Sequence, residues 1–127
     1  MLKIVDLHPA STPGSEYVVL QNQGLITISL KGWALAGDSY MSGDPGRSAS
    51  ETFIFAEDIP IKPYTRVVLF TGEGTDGWYE TIDNKTAYLV YWNRPSSVWT
   101  DTPFVHLLRP VSSCKVVSAD LPDTVLA

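Results

Sequence analysis

Cysteine is nearly absent: Cys114 stands alone among 127 residues, so no disulfide can close within the chain. Histidine is almost as scarce, with His8 and His106 only. Two isolated imidazoles and one thiol lack the four-ligand spacing of a structural zinc site. No strained nucleophile turn accompanies them, so a Ser-His-Asp triad is not supported either. Charge is thin, 18% of residues against about 25% in ordinary soluble domains. Nine Lys and Arg face fourteen Asp and Glu, for a net charge of −5. The cations Lys3, Lys31, Arg47, Lys62, Arg66, Lys85, Arg94, Arg109 and Lys115 form no run. Phosphate recognition rests on clustered cations, so nucleic acid is disfavoured as a partner. No apolar run approaches the roughly 18 residues of a membrane span, which argues against insertion across a bilayer. Met1–Asp6 has no apolar signal region.

What the chain does have is 44% hydrophobic residues, 11% of all residues being aromatic. That suffices for one core in a domain of this size. The dominant period is two, punctuated by Gly, Pro, Asn and Ser, and no 3.6-residue period competes with it. This predicts an all-β fold of many short strands. Leu2–Leu7 and Glu16–Gln21 are the first two strands, with Val18 and Leu20 on one face. Ile26, Ile28 and Leu30 alternate with polar neighbours, and Trp33 and Leu35 carry the next inward face. Glu51–Phe55 follows, with Phe53 and Phe55 in phase. Arg66–Thr71 and Ala87–Trp92 are apolar on both faces, which suits central strands. Ser97–Trp99 is a short strand, and Phe104–Leu108 pairs with Lys115–Ser118 as a last hairpin. Gly37–Ser50 and Gly72–Lys85 are loops, with short helical turns expected near Asp76–Glu80 and Leu121–Val125. The expected core is Leu20, Trp33, Leu35, Phe53, Phe55, Leu69, Leu89 and Trp99.

Four features invite a chemical reading. Gly72-Glu73-Gly74-Thr75-Asp76-Gly77 fits G-x-G-x-x-G, but a phosphate site needs a helix to follow it, and none is predicted. Two carboxylates in that loop would also repel phosphate. Asp38, Asp44, Glu73 and Asp76 could supply oxygen ligands for calcium, although their spacing is not that of an EF-hand; no other cofactor is indicated. Asn84-Lys85-Thr86 is a formal glycosylation sequon. Finally Trp78, Tyr79, Tyr88 and Trp92 form an aromatic cluster in sequence. Exposed, they could anchor a protein or stack on sugars; inward, Trp92 or Tyr91 would be core.

Several segments together resemble the lamin tail domain, an immunoglobulin-like β-sandwich. Glu16-Tyr17-Val18-Val19-Leu20-Gln21-Asn22 is similar to its E-Y-V-x-L-x-N strand. Ile28-Ser29-Leu30-Lys31-Gly32-Trp33-Ala34-Leu35 is similar to I-x-L-x-G-W-x-L. Phe53-Ile54-Phe55, Ile61–Val68 and Val98-Trp99 with Asp101 resemble the later strands and corner. The resemblance covers about residues 2–119 of a single domain spanning 1–127, with 120–127 as a tail. Tyr64 departs from it, standing where relatives carry a turn Gly, so that turn either avoids positive φ or accepts strain. Arg109–Cys114 replaces a tighter hairpin.

The resemblance implies an antiparallel immunoglobulin-like sandwich with no catalytic role, binding a protein or assembling with itself. In lamins such domains meet chromatin and nuclear-envelope proteins. In bacteria they accompany secreted or surface hydrolases and nucleases, which would place this chain outside the cell or on its surface. The other reading is a carbohydrate-binding or cell-surface adhesion module, or an accessory domain of an extracellular hydrolase. A sugar binder should show an exposed platform of coplanar aromatics. A protein binder should show an uncovered edge strand or a broad apolar patch.

Overall fold

The computed structural model describes residues 1–38, 46, 50–80, 85–102 and 104–110. In chain order its strands are β1 Leu2–His8, β2 Tyr17–Asn22, β3 Ile28–Ser29, β4 Ala34–Gly37, β5 Thr52–Ile54, β6 Pro60–Ile61, β7 Arg66–Phe70, β8 Gly77–Glu80, β9 Thr86–Tyr91 and β10 Val105–Leu108. The chain is all-β, as its period predicts. A five-stranded sheet runs β1-β2-β7-β9-β8, a three-stranded sheet β10-β4-β5, and β3 pairs with β6. β7 is central, as its two-sided apolar sequence requires. Val67 and Leu69 are fully buried on one face, while Val68 and Phe70 lie half-buried on the other.

One pair breaks the antiparallel expectation. β7 and β9 are parallel, with Arg66 opposite Ala87 and Phe70 opposite Tyr91. The cause is β8, which lies beyond β9 and pairs with it antiparallel. The chain crosses from β7 to the outer position, then returns along β9 in its original direction. Parallel neighbours require such a crossover. Gly77–Glu80, expected as loop or helical turn, is thus a strand, in keeping with the β preference of Trp and Tyr.

The sheets share one core. Leu20, Leu35, Phe55, Leu69 and Trp99 are buried in it as expected, joined by Val18, Leu30, Ile61, Val67 and Val98; Trp33 is 9% exposed. Two expected core members differ. Phe53 is half-buried and packs against the cluster from its edge. Leu89 is half-buried because the register sends Tyr88 and Val90 inward, leaving Leu89 beside Val68 and Gly77 on the opposite face. Ile26, expected inward, is exposed, and only Ile28–Ser29 of its segment forms a strand. Trp99–Asp101 is a 3-10 turn rather than the end of a strand. Cys114, Lys115–Ser118 and Leu121–Val125 lie outside the described residues.

Two buried polar side chains cap the ends of β2. Unpartnered, each would cost several kcal/mol. Glu16 accepts hydrogen bonds from Thr71 Oγ1 at 2.7 Å and from the backbone N–H groups of Val98 at 2.9 Å and Trp99 at 3.1 Å. It ties β2, the end of β7 and the 98–99 corner together. At the other end Asn22 Nδ2 donates to the carbonyls of Ile26 and Ile61, both at 2.9 Å. Its Oδ1 accepts from Gly24 N at 3.0 Å and Met1 N at 2.9 Å. The first and last residues of the E-Y-V-x-L-x-N segment are structural junctions.

Two turns explain further sequence detail. Trp33 N–H bonds back to Leu30 O, with Gly32 at φ +89°. A Cβ on Gly32 would also stand 2.9 Å from Pro110. In the second turn Thr65 N–H bonds to Lys62 O, Pro63 occupies the second position, and Tyr64 takes φ +64°. That is the place a type II turn reserves for glycine. The turn at Tyr64 therefore accepts strain rather than avoiding it. Tyr64→Gly should raise stability by about 0.5–1 kcal/mol, since the left-handed strain outweighs the added unfolded-state freedom. A urea midpoint below that of the parent protein would show that Tyr64 packs favourably instead.

Candidate functional site

β5 and β8 are the outermost strands of their sheets among the described residues. Between β5 and β9 the sheets part into a half-open groove of about 250 Å³. Leu30, Phe53, Ile54 and Phe55 form one wall and floor; Tyr88 and Val90 form the other. Strand pleating contributes to this, because Tyr88 and Val90 point inward to line it. Trp78 lies directly across from the groove wall residue Tyr88 in the ladder, with half its surface exposed. It meets the Tyr88 ring edge-on, centroids 5.1 Å apart at 61°. Ile54, 61% exposed, flanks the other rim.

Glu57 and Asp76 stand at the mouth. Burial holds the Tyr88 phenol above its ordinary ionisation range, and the charges of Asp76 and Glu57 push the same way. Tyr88 therefore remains a neutral hydroxyl at physiological pH. The groove is apolar within and acidic at its rim. At about 250 Å³ it falls below the usual range for a whole small-molecule ligand, and it suits one or two side chains of a larger partner.

The four aromatic residues singled out in the sequence divide. Trp78 and Tyr79 are exposed, as a contact surface requires. They share β8 but point to opposite faces, since Trp78 pairs with Tyr88 and Tyr79 with Ala87. Tyr88 is a buried wall of the groove. Trp92 packs inward against Phe53 at 5.3 Å and Trp99 at 5.6 Å, with the Arg94 guanidinium 5.0 Å over its ring. Trp92 is half-buried and belongs to the aromatic bridge between the sheets. Ile54 and Glu57 are groove residues that sequence reasoning missed, and Asp76, singled out there as a calcium ligand, stands with them. Ile54 and Glu57 are three residues apart, but Asp76 and the β9 wall come from segments well downstream, and only the fold brings them together.

A second aromatic row crosses the outer face of the five-stranded sheet. His8, Tyr17, Phe70 and Tyr91 occupy one rung on four neighbouring strands. His8 stacks on Tyr17 at 4.9 Å and 17°, and Phe70 on Tyr91 at 5.1 Å and 15°. Rings stacked in this way turn their faces to each other and their edges outward. A sugar platform needs open faces, so this row is unsuited to one.

Among the described residues the remaining candidates form no metal-holding group. Asp38 Oδ1 lies 3.1 Å from His106 Nε2. Asp76 Oδ1 accepts from Tyr91 N at 2.8 Å, and Glu73 is exposed. Asp44 and Asn84 lie outside the described residues. No group of three His, Cys, Asp or Glu side chains able to hold a metal occurs among the described residues. The G-x-G-x-x-G segment runs into β8 rather than a helix, which removes the phosphate-site geometry. Gly74 instead packs against the Tyr91 ring, where a Cβ would collide, and donates to Asn93 Oδ1 at 3.0 Å.

Compared with protein-family models, curated proteins and solved structures, the chain matches none. The class that stands on the fold is all-β.

Proposed function

We propose that this protein is a non-catalytic interaction module, an immunoglobulin-like sandwich of the lamin tail type, that binds an extended segment of a protein partner. The groove between β5 and β9, with the half-exposed Trp78 packed against its wall residue Tyr88, carries this reading. An extended segment laid along β8 gains backbone hydrogen bonds at the strand edge and places alternate side chains toward the groove. The acidic rim of Glu57 and Asp76 favours a segment with an apolar anchor next to Lys or Arg. The lamin-tail part of the reading is supported by the places of Glu16, Asn22, Gly32, Trp33 and Trp99. The first two brace the ends of β2, Gly32 makes the positive-φ turn, and the two indoles fill the core. The face-to-face stacking of the outer aromatic row weighs against a carbohydrate module.

The test is selection of random short peptides on the immobilised full chain. Enriched peptides should pair a large apolar residue with a cationic one. Trp78→Ala combined with Ile54→Ser should weaken them about tenfold or more, the range of an interface anchor, with an unchanged melting temperature because both side chains are exposed. Peptides that bind parent and variant equally would defeat this reading.

A further inference from the structure

The Asn22 end of the five-stranded sheet has a different character from the groove. The loop after β2, the turn before β7 and the start of β1 converge there. The Asn22 side chain clamps the loop through Ile26 O and Gly24 N and the start of β1 through Met1 N, while its backbone holds the turn, bonding Tyr64 N at 2.6 Å and Thr65 O at 3.1 Å. Gln21 Nε2 adds a bond to Tyr64 O at 3.1 Å. This rigid frame holds apolar side chains outward. Leu25 is 85% and Ile26 72% exposed, and Tyr64, on the turn that Asn22 also bonds, is exposed despite its positive φ.

Three cations lie at the same end of the sheet. Lys62 shares the Tyr64 turn, and Lys3, Gln21 and Arg66 form one cross-strand rung at the same end. All three cations are exposed. Glu80 also ends β8 here, but on the opposite edge of the sheet from Lys3. The other end of the sheet bears the exposed carboxylates Glu73 and Asp76. A chain of net charge −5 thus presents a basic, apolar tip opposite an acidic end.

We propose that this tip docks on the surface of an anionic lipid bilayer. Separate, exposed apolar side chains suit the boundary between headgroups and acyl chains, where Tyr also settles with its hydroxyl in water. Lys3, Lys62 and Arg66 would meet the anionic headgroups, and the acidic opposite end would be held away, which sets one orientation. The molecule lies on the bilayer and does not span it; among the described residues no helix is long and apolar enough to cross one.

Flotation of the full chain with phosphatidylcholine vesicles, with and without phosphatidylserine, tests this. The chain should float with the anionic vesicles alone, and high salt should release it. Leu25→Ser with Ile26→Ser should cut the bound fraction about tenfold or more while keeping the parent melting temperature, since both side chains are exposed. Lys62→Glu with Arg66→Glu should do the same. A parent protein that does not float with anionic vesicles overturns the proposal, as does a double Ser variant that floats as well as the parent. Sedimentation supplies a further outcome: if the parent does not float and the Ser variant turns a dimer into monomers, the tip meets a second copy and the proposal falls.

Discussion

Glu16→Ala is expected to remove about 4 kcal/mol of folding stability, because three buried donors lose their acceptor at roughly 1–3 kcal/mol each, less what an entering water restores. The donors are the Thr71 hydroxyl and the Val98 and Trp99 amides, all on the wholly buried carboxylate. A domain has only about 5–15 kcal/mol in total, so this variant should stand near the edge of unfolding. Glu16→Gln keeps the shape and should cost less, about 2 kcal/mol. Its oxygen can still serve Thr71 and Val98, which share Oε1, but its amide nitrogen then faces the Trp99 N–H. Urea midpoints of the two variants give this order directly. Equal, small shifts in both would mean that the carboxylate does not join the three segments.

Trp99→Ala should cost about 3–5 kcal/mol, the usual range for emptying a buried aromatic site. The ring is 1% exposed and closes the chain of contacts Phe55–Phe53–Trp92–Trp99 that bridges the two larger sheets. Trp99→Phe should cost only about 1–2 kcal/mol, as a volume change without a polar penalty. Among the described residues nothing accepts the indole Nε1–H, so phenylalanine forfeits no hydrogen bond there. Thermal unfolding separates the pair. A Phe variant as unstable as the Ala variant would show that the indole nitrogen matters after all. Near-ultraviolet circular dichroism should lose the coupled Trp92–Trp99 signal in both.

Strand existence was legible where the alternation was clean. Val18 and Leu20, and Val67 and Leu69, point inward as their spacing demands, and their partners on the other face are half-buried. What the pattern could not choose was a face for β9, apolar on both sides. Register decided that, turning Tyr88 inward and Leu89 out. β8 was hidden because a short strand set among loop residues acquires its identity only from its neighbour. Strand direction is likewise a tertiary property, so the parallel β7–β9 pair carried no local signal. Of the candidate site, Trp78 was legible as an aromatic in a polar stretch. The groove itself was not, because its walls come from segments distant in sequence. Glu16 read as the first residue of a strand; a period-two pattern is blind to a buried acid whose partners lie at 71 and 98–99.

Glu16 is the internal acceptor that locks the 98–99 corner to β2 and β7. Amide hydrogen exchange at Val98 and Trp99 probes it most directly. Both amides lie outside any strand ladder, yet both should exchange as slowly as the central amides of β7, through global unfolding alone. In Glu16→Gln the Trp99 amide alone should speed up by more than the loss of global stability explains. Fast exchange at both positions in the parent protein, at the rate of exposed loop amides, would contradict the account.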